Sequence, residues 1–411
     1  MTEPPSAVNP IRDAPAFRRL LFARLVSHVG DGIAVTALVL LVEETRQTGA
    51  AVGTLLLVWF LPRLLGPLAG AIVDRAEQRT VMVACDLGQA AVFGAIAWLA
   101  PSFPVLLGLV AIAGALETLF APAGRSAVPA LVRPEQLLQA NAWMGTTLNL
   151  QVALGPAIGG ILAATLGVRG AIAANALSFV VSALALVGLP PLRAAGAPER
   201  RGYLAVGVEG IRYVWRTPLL RSVAIALFVG VAFAGLDNVA LVFLVKDTLG
   251  GGAVAFGLVN GAYGVGMLAG SIGLSVRATA VSAATIFIVG WILSGVGTLL
   301  TGVVPLLVVA ALGQAVAGVG NAIDVVAIDT LVPRVTPREM LGRVFGFIGT
   351  AAPAGHTLAF AAGGFLLDVT SPRTVYVIAG VGTLVGLTPV LLVLRRHRDA
   401  SGPPPDRPSA P

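Results

Sequence analysis

The stretch GPLAGAIVDRAEQRT, residues 66–80, decides how this chain is read. It joins two apolar runs through a short turn that carries Asp74, Arg75, Glu77 and Arg79. Ahead of the turn, Gly66 and Gly70 stand four apart and so share a helix face. Small residues at that spacing let two helix backbones approach closely inside a bilayer. Pro67 between them is tolerated where neighbouring helices re-satisfy the freed carbonyl. The expectation is a close-packed helix end followed by a tight, charged turn on one side of a membrane.

The rest of the chain agrees. Of 411 residues, 56% are hydrophobic and 11% charged, whereas a soluble domain is about 25% charged. No globular core hides so much apolar sequence. The net charge of +7 is spread over short loops, which argues against a nucleic-acid surface. The single cysteine, Cys85, lies inside an apolar run and excludes an internal disulfide or a cysteine-rich metal site.

Apolar runs fall at roughly 18–42, 50–73, 80–100, 104–124, 137–165, 171–189, 219–245, 253–275, 281–302, 305–329, 340–367 and 374–394. A crossing needs about 20 residues, so the chain reads as an all-α membrane protein of twelve transmembrane helices. With residues 1–16 inside, 21 of the 27 basic residues lie in inner segments. Arg46, Arg169, Lys246 and Arg373 lie outside; Arg24 and Arg63 lie within runs. The positive-inside rule therefore places both termini in the cytoplasm of a cell-membrane protein.

Residues 190–218 divide the chain into bundles at 17–189 and 219–396. The linker's end, EGIRYVWRTPLLR (209–221), has Ile211, Val214 and Trp215 spaced for one apolar face and reads as an interfacial helix. Residues 397–411 have the composition of a disordered cytoplasmic tail. The two halves repeat: VEET (42–45) matches VKDT (245–248), GPLAG (66–70) matches GMLAG (266–270), RPEQLL (133–138) matches TPREML (336–341), and GGIL (159–162) matches GGFL (363–366). Two pseudo-repeated six-helix bundles are a transporter architecture, with the substrate near the midplane between them.

Charges inside spans are costly and mark function by default. Arg24, His28 and Asp31 share a face of the first run. Glu117 lies in the fourth and Asp237 in the seventh. Gln314, Asn321 and Asp324 form a stripe in the tenth. A carboxyl in a poorly hydrated cavity can carry a proton or pair with a cationic substrate. Simpler readings stand beside these. Asp324 could face water at the inner end, Arg24 could snorkel, and Asp86 could pair with a local arginine. Arg63 needs a partner, with Asp31 or Glu117 available, and His28 and His356 could be packing or hydrogen-bonding residues.

Gly70-Ala71-Ile72-Val73-Asp74-Arg75 with Arg79 resembles the loop between helices 2 and 3 of the major facilitator superfamily, although Glu77 stands where that family usually has glycine and Gln78 where it has a basic residue. The resemblance implies a conformational gate at Gly70, Asp74, Arg75 and Arg79. It also implies a cavity lined by helices 1, 4, 7 and 10, each of which carries an acid here. Gly155, Pro156, Gly159 and Gly160 resemble the helix-5 signature of the family's exporters. The arginine motif of helix 4 has no counterpart, since AGALE (113–117) stands there. SHVGDG (27–32), residues 121–141 and EGIRYVWRTPLL (209–220) are similar to the macrolide-exporter branch, which includes siderophore exporters.

The expected function is proton-coupled export of amphipathic small molecules by alternating access. The alternatives are an exporter of one endogenous metabolite such as a siderophore, or a sensor or scaffold that does not transport. The expected partners are a small-molecule substrate, protons and lipid, with a monomeric assembly and neither nucleic acid nor cofactor. Lys246 precedes Asp247, so no phosphate loop is present. Three histidines and one cysteine supply neither a metal centre nor an enzyme's nucleophile cluster.

Overall fold

The computed structural model describes residues 10–192, 203–277 and 282–393. Most of the two expected tails and linker residues 193–202 lie outside these. After a single helical turn at Pro10–Asp13, the first long helix, α1, runs Pro15–Arg46. In α2 the chain is helical over Gly49–Phe60, tightens into a 3-10 turn at Leu61–Leu65 and resumes over Gly66–Val73. Pro62 lacks the N–H that a continuous helix would use there. Helices α3 (Gln78–Leu99) and α4 (Phe103–Leu131) follow. Leu137–Val187 is nominally one helix, but Gly167 has φ 74° and breaks it into α5 (137–166) and α6 (168–187). Glycine takes that left-handed conformation at no steric cost.

A linking helix, Tyr203–Arg216, leads into α7. Helix α7 runs Pro218–Ala234, breaks at Gly235, continues over Leu236–Phe243 and ends in a π turn at Leu244–Thr248. Helices α8 (Ala253–Arg277), α9 (Ala283–Val303), α10 (Leu307–Arg334), α11 (Leu341–Val369) and α12 (Pro372–Gly386) complete the chain. Among the described residues, ten helical segments are long and apolar enough to cross a membrane, with Gly49–Leu65 as a shorter one. Splitting Leu137–Val187 at Gly167 gives twelve crossings.

The cores show how the halves meet. At one end a single cluster draws on both, with Leu38, Leu55 and Phe179 from the first and Val242, Phe360 and Tyr376 from the second. At the other end the cores separate. Phe17, Met82, Phe120 and Leu186 pack within the first half; Val223, Phe287, Trp291 and Val390 pack within the second. Where the halves join, α2 lies on α11 and α5 on α8. A Cβ at Gly53 would lie 3.1 Å from Gly364 Cα, and one at Gly160 would lie 3.0 Å from Gly257 Cα. These are related contacts, since Gly160 and Gly364 belong to the repeated GGIL and GGFL segments. Lys246 in the π turn meets Glu43, and Glu44 at 3.8 Å. Glu43 and Lys246 are the second residues of VEET and VKDT, so equivalent positions meet where the pseudo-two-fold axis leaves the protein. Asp368 caps α2 from the other half, accepting from Gly49 N at 2.6 Å and Ala50 N at 3.1 Å. An anion at a helix N-terminus is favourable.

The opposite end is open, and this corrects the expected packing of the first-quoted stretch. Among the described residues, nothing lies within 4 Å of a Cβ placed at Gly66 or Gly70, nor at Gly342, Gly346 or Gly349 of α11. Leu68 and Ile72 are exposed. The halves diverge below the join, so α2 has no neighbour on that face. In the second half the repeat-related Gly266 and Gly270 do pack, against Ala315 and Val319 of α10.

Candidate functional site

In the first half, Glu117 of α4 accepts from Arg63 at 2.7 Å and from Trp59 Nε1 at 3.2 Å. That settles the partner of Arg63, whose guanidinium also lies 3.9 Å above the Phe60 ring. Phe60 continues into the second half, with ring centroids 5.8 Å from His356 and 5.0 Å from Phe360. Arg24 does not snorkel free: it bonds His28 Nε2 and lies 4.5 Å from the Phe120 centroid. The arginine can only donate, so Nε2 accepts and His28 is neutral with its proton on Nδ1. Nδ1 lies 2.9 Å from Thr147 Oγ1, and that hydroxyl donates onward to Met144 O at 2.7 Å. Asp31 is buried in the first bundle, and among the described residues its Oδ1 has no hydrogen-bond partner.

In the second half, a cavity of about 260 Å³ lies against α5. Asp237, Asn238, Asn260, Tyr263, Gln314 and Asn321 give it its polar lining, with Ser294, Thr298 and His356 beside them. At the break the Gly235 carbonyl accepts from Asn238 N at 3.3 Å and from Asn238 Nδ2 at 3.4 Å, which holds Asn238 and its neighbour Asp237 at the turn. The same amide donates to Asp237 Oδ1 at 2.7 Å. Gln314 faces Asp237 and donates to Tyr376 OH at 3.1 Å. His356 donates from Nδ1 to Ala352 O at 3.1 Å. The direct partners of Asp237, Asn238 and Gln314, are neutral amides, and among the described residues it has no ion pair.

The four acids therefore do not meet in one chamber. Asp237 reaches the cavity, with Asn321 on its wall. Glu117 is held by Arg63 and Trp59, and Asp31 lies inside the first bundle. Asp324 corrects the reading that it faces water: it is buried between α9 and α10, where a Cβ on Gly290 would collide with it, and among the described residues its Oδ1 has no partner. Asp86 is buried without an arginine partner, against the expected local pair. Asn260, Tyr263, Ser294 and Thr298 also line the cavity and are not singled out by the sequence. Their one signal was an amide and a phenol three apart on the apolar run of α8. Gly155 and Gly159 lie on α1, against Gly32 and Ile33, while Pro156 and Gly160 lie on α8.

At the α2–α3 turn, Asp74 and Arg75 make no ion pair among the described residues. Arg79 donates to Leu189 O at 3.0 Å. Glu77, which departs from the family's loop, caps α3 by accepting from Thr80 N at 2.9 Å and ties down the end of α6 through Leu192 N at 2.8 Å. Partial burial opposes its ionised form, but the Thr80 hydroxyl, the two backbone donors and Arg79 outweigh it, and the carboxyl is held below the usual glutamate range. Its contribution to stability is thus present at neutral pH and is lost as pH falls through the lowered value. Glu77→Ala is expected to cost about 1 kcal/mol, the worth of an N-cap. In thermal melts the gap from wild type should be widest near neutrality and close in acid; a gap independent of pH would sink the assignment.

Two repeated helical bundles joined at one end, parted at the other, with an acid-bearing cavity at a broken helix, define a membrane carrier of the secondary-transporter class. The model of the Major Facilitator Superfamily matches residues 20–273 and 227–411, and the chain belongs to that family. It is a transporter and not an enzyme. It is 29% identical over 403 residues to the multidrug efflux pump Tap of Mycolicibacterium fortuitum, covering 94% of this chain and 97% of the pump. It is 27% identical over 406 residues to the enterobactin exporter EntS of Salmonella paratyphi A, covering 95% and 96%. The fold matches the crystal structure of the nucleoside transporter NupG with TM-score 0.71 at 12% identity, covering 93% and 99% of the two chains. It matches an inward-facing bacterial homologue of the iron transporter ferroportin with TM-score 0.69 at 17% identity, covering 92% and 98%.

Proposed function

We propose that this protein is a proton-coupled exporter of amphipathic, cation-bearing small molecules, working as a monomer in the cell membrane with both termini in the cytoplasm. The observation that carries this reading is Asp237, a carboxylate on a cavity wall with only neutral partners. It can take a proton or a substrate cation, and exchange of one for the other is antiport. A cavity of about 260 Å³ suits the polar group of a drug-sized molecule, since whole drug sites run to roughly 300–1,000 Å³. The apolar remainder would lie in the crevice between the halves. Export is supported by the names of the two relatives and by the glycine and proline cluster of α5. The basic residues gather at the open end, so the positive-inside rule makes this the inward-facing state. In this scheme 17–189 and 219–396 are the rocking bodies and 190–218 joins them. Asp74, Arg75, Arg79 and Gly70 act when the inner end closes.

The test is collapse of a pH gradient in inverted vesicles by macrolides, lipophilic cations or catecholate siderophores. One class is expected to collapse it. Asp237→Asn should slow the response about tenfold or more, the loss of one charge-assisted hydrogen bond. Collapse by a siderophore alone would favour the single-metabolite exporter. A full response in the variant would remove Asp237 from the coupling path.

A further inference from the structure

The linking helix Tyr203–Arg216 runs through Thr217 straight into the α7 span, so its end lies at the membrane boundary on the open side of the molecule. One side of its last two turns is seated on the second bundle. Val214 is fully buried with Val332 of α10 and with Val344 and Ile348 of α11. A Cβ at Gly210 would lie 2.7 Å from Arg343 O. Tyr213 OH donates to Val335 O at 3.1 Å, and Arg343 bonds Glu209. The rest of the circumference is uncovered, and its side chains are sorted. At about 100° per residue, Ile211 and Trp215 follow the seated side, and Arg212 and Arg216 come next. Ile211 is 39% exposed and Trp215 51%. Both arginines are exposed, as is Arg221 one turn into α7. Among the described residues none of these three arginines has an ion pair.

We propose that this face is a docking surface for anionic phospholipid in the leaflet at the open end. Ile211 and Trp215 dip among the acyl chains, and Arg212, Arg216 and Arg221 hold the headgroup phosphate. The argument is complementarity at a fixed depth. An interfacial helix sinks its apolar face about 5–10 Å into the boundary between headgroups and acyl chains, and tryptophan prefers that level. With Trp215 there, the arginine pair beside it stands among the phosphates. A guanidinium fork meets phosphate oxygens two at a time. A zwitterionic headgroup offers the same phosphate but cancels its charge, so three unpaired arginines select a lipid with net negative charge. A protein occupant would have to pair all three and cover a tryptophan in a zone that lipid already fills. The leaflet is the cytoplasmic one in the orientation proposed above, but the site depends neither on that nor on what the protein transports. The same helix is seated on α11 beside Gly342 and Gly346, so the lipid it holds bears on one of the surfaces available to close.

The test is tryptophan quenching in the purified full chain, reconstituted in phosphatidylcholine vesicles. A rising fraction of either phosphatidylglycerol or phosphatidylcholine carries brominated acyl chains, which quench a tryptophan they touch. Subtracting the signal of Trp215→Phe isolates Trp215 from the other four tryptophans. Each arginine at an anionic surface favours binding about fivefold. Half-quenching of Trp215 should therefore need at least about fivefold less brominated phosphatidylglycerol than brominated phosphatidylcholine. The triple variant Arg212→Gln, Arg216→Gln, Arg221→Gln should bring the two curves together while Trp215 stays quenched by both. Raised salt should narrow the gap in the wild type. Arg169→Gln, an exposed arginine at the α5–α6 turn, should leave it unchanged. Equal curves in the wild type, or a gap that survives the triple variant, would overturn the proposal. So would a Trp215 that neither lipid quenches, which would leave the face to a protein partner. If the gap behaves as expected while substrate moves no protons in vesicles, the lipid site stands and the antiport reading falls.

Discussion

Gly155→Leu is expected to abolish assembly of the protein. A Cβ at residue 155 would lie 2.5 Å from Gly32 Cα and 2.9 Å from the Gly32 carbonyl carbon, and a Cβ at Gly32 would meet Gly155 Cα at 2.8 Å. Both obstacles are backbone, so no rotamer change relieves them. The α1 and α5 axes would have to part, and that would strip His28 from Thr147 and unseat Gly159 from Ile33 one turn on. Overpacking commonly costs about 1–3 kcal/mol, and a clash between backbones belongs at or above the top of that range. The measurement is the yield of monodisperse protein in detergent. Gly145→Leu on the same helix is the control, since a Cβ there meets nothing within 4 Å. Equal yields for the two variants would mean that the α1–α5 contact does not hold the bundle together.

The second large effect is conformational. Gly53→Trp should drive the protein out of the state seen here. The ring would enter the joined end, against Phe360 O and Gly364, so its cost falls on this arrangement of the halves and not on the one in which that end is open. About 3 kcal/mol of selective overpacking shifts the population on the order of a hundredfold. Spin labels at Arg75→Cys in the α2–α3 turn and Gly346→Cys on the inner part of α11 should report a shortened distance in the Gly53→Trp background. Cys85 is buried and adds little background labelling. An unchanged distance distribution would show that the outer glycine seam does not control the inner end. The empty faces at Gly66, Gly70, Gly342 and Gly346 are the surfaces available to close.

The same glycines show where sequence reasoning reached and where it stopped. Gly66 and Gly70 carried a spacing that reads as close packing, and in this state they pack on nothing. Gly53, in a run with no motif, packs on the other half of the molecule. The repeat GGIL/GGFL was visible as a repeat; that it marks two related seams between halves was not. VEET/VKDT is visible in the same way, but the Glu43–Lys246 pair hidden in it is not, because Lys246 reads only as an outer-loop charge. Among the acids, residue type and depth in a span singled out Asp31, Glu117, Asp237 and Asp324, but only Asp237 faces the cavity.

The sequence by itself determined the solvent, the number of crossings, the two-fold repeat and the charge asymmetry of the loops. Those are local properties. In hydrocarbon each span must satisfy its own backbone, so length and apolarity alone declare a helix. The tertiary structure alone decided which face of each helix meets which neighbour, which acids keep a cation, and which end of the molecule is shut. Lipid is as apolar as leucine, so the rotation of a membrane helix about its axis is set by small-residue contacts and polar pairs with distant segments. Gly155 against Gly32 and Glu117 against Arg63 are such contacts, and neither partner's identity is written in the residues beside it.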